Sequence, residues 1–251
     1  MINKIGFAGL GHLGLNSIVA AAMKGFNVVG YENDYQKISN LNKSNILIKE
    51  PGFKKNFLKF KKRILLTSNV KNLSSCKVVY VSLDVNTDKF GNSNLKSIIK
   101  IINEITKFLD KNAALIILSQ VPPGFTRKIK WNKKNLFYQV ETLIFGNAIN
   151  RALKPERLII GCSDSKNLIN KNLKFFLRKF NCPILSMKYE SAEFAKIAIN
   201  TYLSASVTTS NTLAELCEKL GADWSEIIPT LKMDRRIGNY AYLRPGLGIS
   251  G

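Results

Sequence analysis

The stretch 9-GLGHLG-14 places glycine at positions 9, 11 and 14, directly after the apolar run 5-IGFAGL-10 and at the opening of 14-GLNSIVAAAMKG-25. A strand turning sharply into a helix leaves unpaired amide N–H groups at the helix N-terminus, where an anion is held. Gly9 permits the tight turn, Gly11 lets a pyrophosphate approach the backbone, and Gly14 allows the helix to pack closely on the strand. His12 and Leu13 complete the turn and are counted with the cofactor-contacting residues. Glu32 closes the next strand-like run, 27-NVVGYE-32, at the separation where a carboxylate binds the hydroxyls of an adenine ribose. Turn and acid together predict a bound dinucleotide. Glu32 would repel a 2′-phosphate, so NAD is expected rather than NADP.

His12 is the only histidine of the chain. Its place inside the phosphate turn assigns it to that turn and not to proton transfer. Cys76, Cys162, Cys182 and Cys217 are scattered without CxxC or Cys/His spacing. We expect neither a metal site nor a disulfide framework from them, and we expect reduced thiols.

These residues require a sheet with helices packed on it. The runs at 5–10, 27–32, 63-RILLTS-68, 77-KVVYVS-82, 114-ALIILS-119, 136-LFYQV-140 and 157-RLIIGC-162 are short and rich in β-branched or aromatic residues. Helical segments such as 14–25 and 94-NLKSIIKIINEITKFL-109 separate several of them. This alternation predicts a Rossmann-like α/β domain with a doubly wound parallel sheet. From about residue 188 the pattern changes. The run 189-YESAEFAKIAINTYLSASVTTSNTLAELCEKLG-221 lacks strand signals and ends on a glycine suited to a helix C-terminus. We therefore predict a first domain over 1–187, then a long helix and the start of an all-α central domain over 188–251.

The chain has 251 residues, 45% of them hydrophobic, without an apolar run of bilayer length or the layout of a signal peptide at MINKIGFAGLG. A cytoplasmic protein without a membrane span is expected. The net charge of +21 raises the possibility of a nucleic-acid partner. The densest run, 54-KKNFLKFKKR-63, interleaves Phe57, Leu58 and Phe60 with its lysines, which suits an amphipathic helix with a solvated basic face better than a stacking platform. No nucleic-acid partner is predicted.

Beyond the turn, several motifs occur in a specific order: VVGYEND, 50-EPGF-53, 121-VPPG-124, 146-GNAI-149 with 154-KPERLIIG-161, 192-AEFAKIAIN-200, 216-LCEKLGAD-223 and 234-DRRIG-238. In these the chain resembles the UDP-glucose/GDP-mannose dehydrogenases over essentially its whole length. The resemblance implies an NAD-binding Rossmann domain, a central helix carrying much of a dimer interface, and oxidation of a primary alcohol of a UDP- or GDP-linked sugar to a carboxylate. It also implies a thiohemiacetal and a thioester on a cysteine, the thioester being hydrolysed by water.

By the same resemblance Lys196 and Asn200 stabilise a developing oxyanion, and their spacing of four puts both on one helix face. Glu141 handles the water or its proton, and Arg236 reaches the substrate phosphates near the neighbouring subunit's substrate site of a homodimer. Lys37 and Gln120 fall among the cofactor-contacting positions. Gln120 stands where the family commonly has threonine, while Ile144 and Phe145 in 141-ETLIFG-146 replace an arginine and a second glutamate. Phe145 cannot transfer a proton, so a second reading is an NAD-binding but catalytically silent homologue. The tail 246-GLGISG-251 matches the approach to the nucleophilic cysteine, and the sequence stops short of that thiol, as a fragment or a natural short form.

Overall fold

The computed structural model describes residues 4–46, 48–85, 93–164 and 169–246. Its strands, in chain order, are β1 (Lys4–Ala8), β2 (Asn27–Tyr31), β3 (Ile64–Thr67), β4 (Val78–Val81), β5 (Ala114–Ile117), β6 (Leu136–Gln139), β7 (Leu158–Cys162) and β8 (Ile184–Lys188). The helices are α1 (His12–Met23), α2 (Tyr35–Asn42), α3 (Phe53–Phe60), α4 (Lys96–Ile105), α5 (Phe125–Lys128), α6 (Ala148–Leu153), α7 (Lys171–Arg178), α8 (Tyr189–Leu220) and α9 (Trp224–Met233). The strands form one sheet in the order β3-β2-β1-β4-β5-β6-β7-β8.

Strands covered on both faces read as continuous apolar runs. β4 (VVYV) and β5 (ALII) are buried at every position, and the rings of Phe7 and Tyr80 stack across β1 and β4 with centroids 5.1 Å apart. α1 is buried over most of its surface, including its small residues Ala20, Ala21 and Ala22. Those alanines let the helix lie close to its neighbours.

The expected parallel sheet needs one correction. β6 and β7 are antiparallel, with Tyr138 opposite Gly161 and Gln139 opposite Ile160, whereas the other neighbouring strands pair in parallel. β-branched and aromatic composition marks a strand but does not encode its direction. β8 was not foreseen either: as an edge strand it exposes Leu185 and carries the polar residues Ser186 and Lys188. The basic run at 54–63 is helical from Phe53 to Phe60, burying Phe53 and Phe57, and continues as a 3-10 turn over Lys61–Arg63.

By internal packing the chain divides into two units, Met1–Phe194 and Ala195–Gly251. In the second, the 241–246 segment is tied to α8. Ser210 Oγ donates to the Tyr242 carbonyl at 3.2 Å, and Asn211 exchanges two hydrogen bonds of 2.8 Å with the backbone of Gly246. Gly221 takes a left-handed φ of 70° just past α8, the conformation that ends a helix with least strain in glycine. The predicted glycine-rich approach at 246–251 lies outside the described residues beyond Gly246.

Candidate functional site

The strand order reverses at β1, which has β2 on one side and β4 on the other. The crevice beyond the carboxyl ends of such strands is where open α/β sheets bind ligands. Gly9 enters the turn with φ 99° and donates its N–H to the Tyr31 carbonyl at 2.9 Å. A Cβ on Gly14 would stand 2.0 Å from the Gly9 carbonyl oxygen, so a side chain there would drive α1 off the strand. Ser82, just after β4, donates its Oγ to the same carbonyl at 2.8 Å. The turn is thereby fixed from the sheet side.

Glu32 is buried and faces this turn. Its Oε2 accepts the Leu10 N–H at 3.3 Å and the Lys37 ammonium at 3.1 Å, and its Oε1 accepts the Asn33 N–H at 3.1 Å. Lys37 stands in the first turn of α2, whose N-cap Asp34 accepts the Lys37 N–H at 3.0 Å. Beside these residues opens a cleft of about 370 Å³ lined by Gly11, His12, Asp34, Lys37, Leu41 and Ile48, among others. That volume is within the range of small-molecule sites. Glycine backbone, a fixed carboxylate, a neighbouring ammonium and an aliphatic wall fit the adenosine half of a dinucleotide. At the start of α1, Asp84 Oδ2 accepts the His12 N–H at 3.0 Å.

His12 is more than a turn residue. Its Nε2 lies 2.9 Å from Glu50 Oε1, and its ring packs on Phe145 with centroids 4.4 Å apart. Glu50 also accepts the N–H groups of Gly146 at 2.9 Å and Ala148 at 3.3 Å. Burial pushes its carboxyl up, but the Gly146 amide, His12 and the Ala148 amide outweigh that and leave it below the usual glutamate range. Glu50 thus ties the phosphate turn to the 141–148 loop, a role that the quoted motif EPGF did not disclose.

Glu141 follows β6, is half-buried, and accepts the Leu143 N–H. It lines a small cavity of about 60 Å³ together with Leu118, Gln139 and Thr142. Gln120 is exposed at the carboxyl end of β5. Sequence reading missed Glu193, which is 1% exposed and accepts the N–H groups of Gly124 at 2.5 Å and Thr126 at 2.8 Å. It holds the turn that follows the proline pair. Glycine turn, Glu32, Lys37 and His12 are therefore brought together, while Gln120 and Glu141 stand at the ends of strands farther along the sheet.

In the second unit Lys196 and Asn200 are both half-buried on α8, one turn apart. Arg236 forms a bidentate pair with Asp234, at 3.1 and 2.7 Å, and its side chain is 89% exposed. None of the cysteines forms a disulfide, and burial raises the thiols of Cys76, Cys162 and Cys182, Cys76 to about 12. A thiol held protonated is a poor nucleophile.

Comparison with known proteins agrees with this geometry. The sequence profile of the UDP-glucose/GDP-mannose dehydrogenase family, NAD binding domain, matches residues 3–180, and that of the family's central domain matches 190–251. A UDP-glucose 6-dehydrogenase of Rickettsia bellii is 31% identical over 264 aligned residues, which cover 99% of this chain and 59% of that protein. An uncharacterised protein of Methanocaldococcus jannaschii is 30% identical over 260, covering 99% of this chain and 29% of the relative. In fold, the chain is similar to a UDP-glucose dehydrogenase from Pyrobaculum islandicum (TM-score 0.84, 23% identity, 100% of this chain and 61% of that one). It is also similar to a GDP-mannose dehydrogenase from Pseudomonas aeruginosa (TM-score 0.82, 23% identity, 96% and 59%). The chain spans less than two thirds of the length of these relatives. With an NAD-binding turn, an acid at the end of β2 and both profiles matched in order, the chain belongs to the UDP-glucose/GDP-mannose dehydrogenase family.

Proposed function

We propose that this chain supplies the NAD site and central helix of a nucleotide-sugar dehydrogenase that oxidises a sugar primary alcohol to a carboxylate, as a UDP-glucose 6-dehydrogenase does. The observation carrying the reading is the strand–turn–helix at the switch point with Glu32 tied to it through Leu10. NAD, when bound, would accept the hydride. Gly9, Gly11, His12, Leu13 and Gly14 would hold its pyrophosphate, Glu32 and Lys37 its adenine ribose, and Gln120 its other half. On the substrate side, Glu141 would act on water, Lys196 and Asn200 on the oxyanion, and Arg236 on the phosphates.

Calorimetric titration with NAD and NADP tests the cofactor half of this reading, the expected result being tighter binding of NAD. Absence of binding by a folded sample overturns it. The oxidation also needs a thiolate, whereas burial raises the thiols of Cys76, Cys162 and Cys182, and Cys217 is buried on α8. Residues 1–251 alone should therefore give no NADH signal at 340 nm with UDP-glucose or GDP-mannose. A steady signal would refute that assignment of the thiols. The reading also includes a cytoplasmic homodimer. Exposed Tyr202, Leu216 and Leu220 on α8 support a partner surface there. Light scattering on the complete protein and on its Ala198→Glu variant should give a dimer that the added charge weakens.

The second reading, a homologue that binds NAD without turning over, is favoured by Phe145. Its ring is 65% exposed and packs on His12 at a position where the resemblance calls for an acid. Full-length protein that binds NAD yet yields no NADH with either sugar class would select it.

A further inference from the structure

Two of the turn's amides are already engaged by carboxylates. Leu10 N–H is taken by Glu32, and His12 N–H by Asp84. The two carboxylates differ in kind. Glu32 is buried and holds Asn33 and Lys37 as well, so it is part of the scaffold. The Asp84 contact is solvent-exposed and comes from a loop residue three positions beyond β4.

The position of Asp84 is more telling than its hydrogen bond. A Cβ placed on Gly11 would lie 1.7 Å from Asp84 Oδ2. Glycine at that position leaves room for a pyrophosphate to reach the backbone, and the carboxylate oxygen fills that room. It also uses the amide at the start of α1 that an incoming phosphate oxygen would use, at the positive end of the helix dipole. A carboxylate and a pyrophosphate cannot both sit there, because they compete for one donor and repel each other.

We propose that Asp84 is a built-in competitor for the pyrophosphate seat, displaced when the dinucleotide binds, and that it sets the chain's affinity for NAD. The inference rests on the NAD reading above. An exposed contact of this kind is weak enough to be displaced by side-chain rotation and strong enough to be felt.

The test is calorimetric titration of the wild type, Asp84→Ala and Asp84→Asn with NAD, and with adenosine as a ligand that has base and ribose but no phosphate. Removing the competing charge should tighten NAD binding about tenfold, the factor that one hydrogen bond to a charged group corresponds to. Adenosine affinity should not change. A second readout is thermal: without ligand, Asp84→Ala should melt lower than the wild type because α1 loses an N-terminal partner, and NAD should raise its Tm by more. Asp84→Asn keeps the shape and an acceptor oxygen, so it answers the question if the alanine variant does not fold. Equal NAD affinity in wild type and variants overturns the inference and leaves the NAD reading standing. A parallel gain for adenosine also overturns it, since the effect would then lie outside the pyrophosphate seat. If no protein binds NAD but adenosine binds, the cradle itself is misassigned. Binding of neither ligand removes the NAD reading and this inference together.

Discussion

His12 Nε2 and Glu50 Oε1 lie 2.9 Å apart, joining the first residue of α1 to a carboxylate that also holds the Gly146 and Ala148 amides. The phosphate turn and the 141–148 loop thereby share one buried anchor. Glu50→Ala leaves two amides and an imidazole without their acceptor, and each buried donor so orphaned costs about 1–3 kcal/mol. We expect a loss of about 3 kcal/mol in urea unfolding, with a smaller loss for His12→Ala, which leaves both amide bonds in place. Similar midpoints for the two variants would show that the amides carry little of the anchoring.

The same carboxylate predicts an acid response. Its folded-state pKa is lowered, so its contribution to stability is complete above the unfolded glutamate value, about 4.3, and is lost as pH falls through the folded value. Wild type should exceed Glu50→Gln in stability at pH 7, and the gap should narrow below about pH 4. Comparing the two proteins removes the contribution of other carboxylates such as Glu190, which Arg127 lowers to about 2. A gap that stays constant down to acid unfolding would mean that Glu50 titrates as an ordinary glutamate.

Glu193 makes the corresponding clamp on the turn that carries Gly124. Its two oxygens accept from Gly124 and Thr126, so each amide should exchange slowly with solvent deuterium. Glu193→Ala should accelerate exchange at both positions and cost about 2–3 kcal/mol, while Glu193→Gln can keep only one acceptor and should fall between. Unchanged protection in the alanine variant would place the restraint elsewhere in the loop.

Much of this was legible in the sequence, and what was not has a common cause. The apolar runs marked β1 to β7 because strands that pack into a sheet covered by helices are rich in apolar and β-branched residues, and the end of α8 was marked by Gly221. The glycine turn was legible because its chemistry is local. Strand direction is not local, so the antiparallel β6/β7 pair was missed. Glu50, Asp84 and Glu193 act on backbone 67 or more residues away, and no spacing rule says which loop a carboxylate will fold onto. A signal was present all the same. Asp and Glu number 17 against 38 Lys and Arg, so an acid beside an apolar or glycine–proline motif, as in 50-EPGF-53 or 192-AEFAKIAIN-200, stands out as a candidate anchor.

Cofactor choice should turn on the pair Glu32–Lys37. The Glu32 carboxylate lies 3.1 Å from the Lys37 ammonium, and Lys37 lines the cleft beside Gly11 and Asp34. In the wild type the carboxylate would accept from a ribose and cancels the lysine's charge, so a 2′-phosphate should meet repulsion without a free cation to offset it. Glu32→Ala removes the repulsion and releases the ammonium towards the same space. The ratio of NAD to NADP affinity should then fall by about tenfold, one unit of charge interaction at short range in a partly solvated site. Adding Lys37→Ala to that variant should take back most of the gain for NADP, because the cation and not merely the absence of the acid supplies it. Some affinity for NAD should be lost in every Glu32 variant, since Oε2 also accepts the Leu10 N–H and so braces the turn. Calorimetry on the three proteins decides the matter. A preference that stays unchanged in Glu32→Ala removes Glu32 from the ribose site, and a gain that survives the loss of Lys37 removes the lysine.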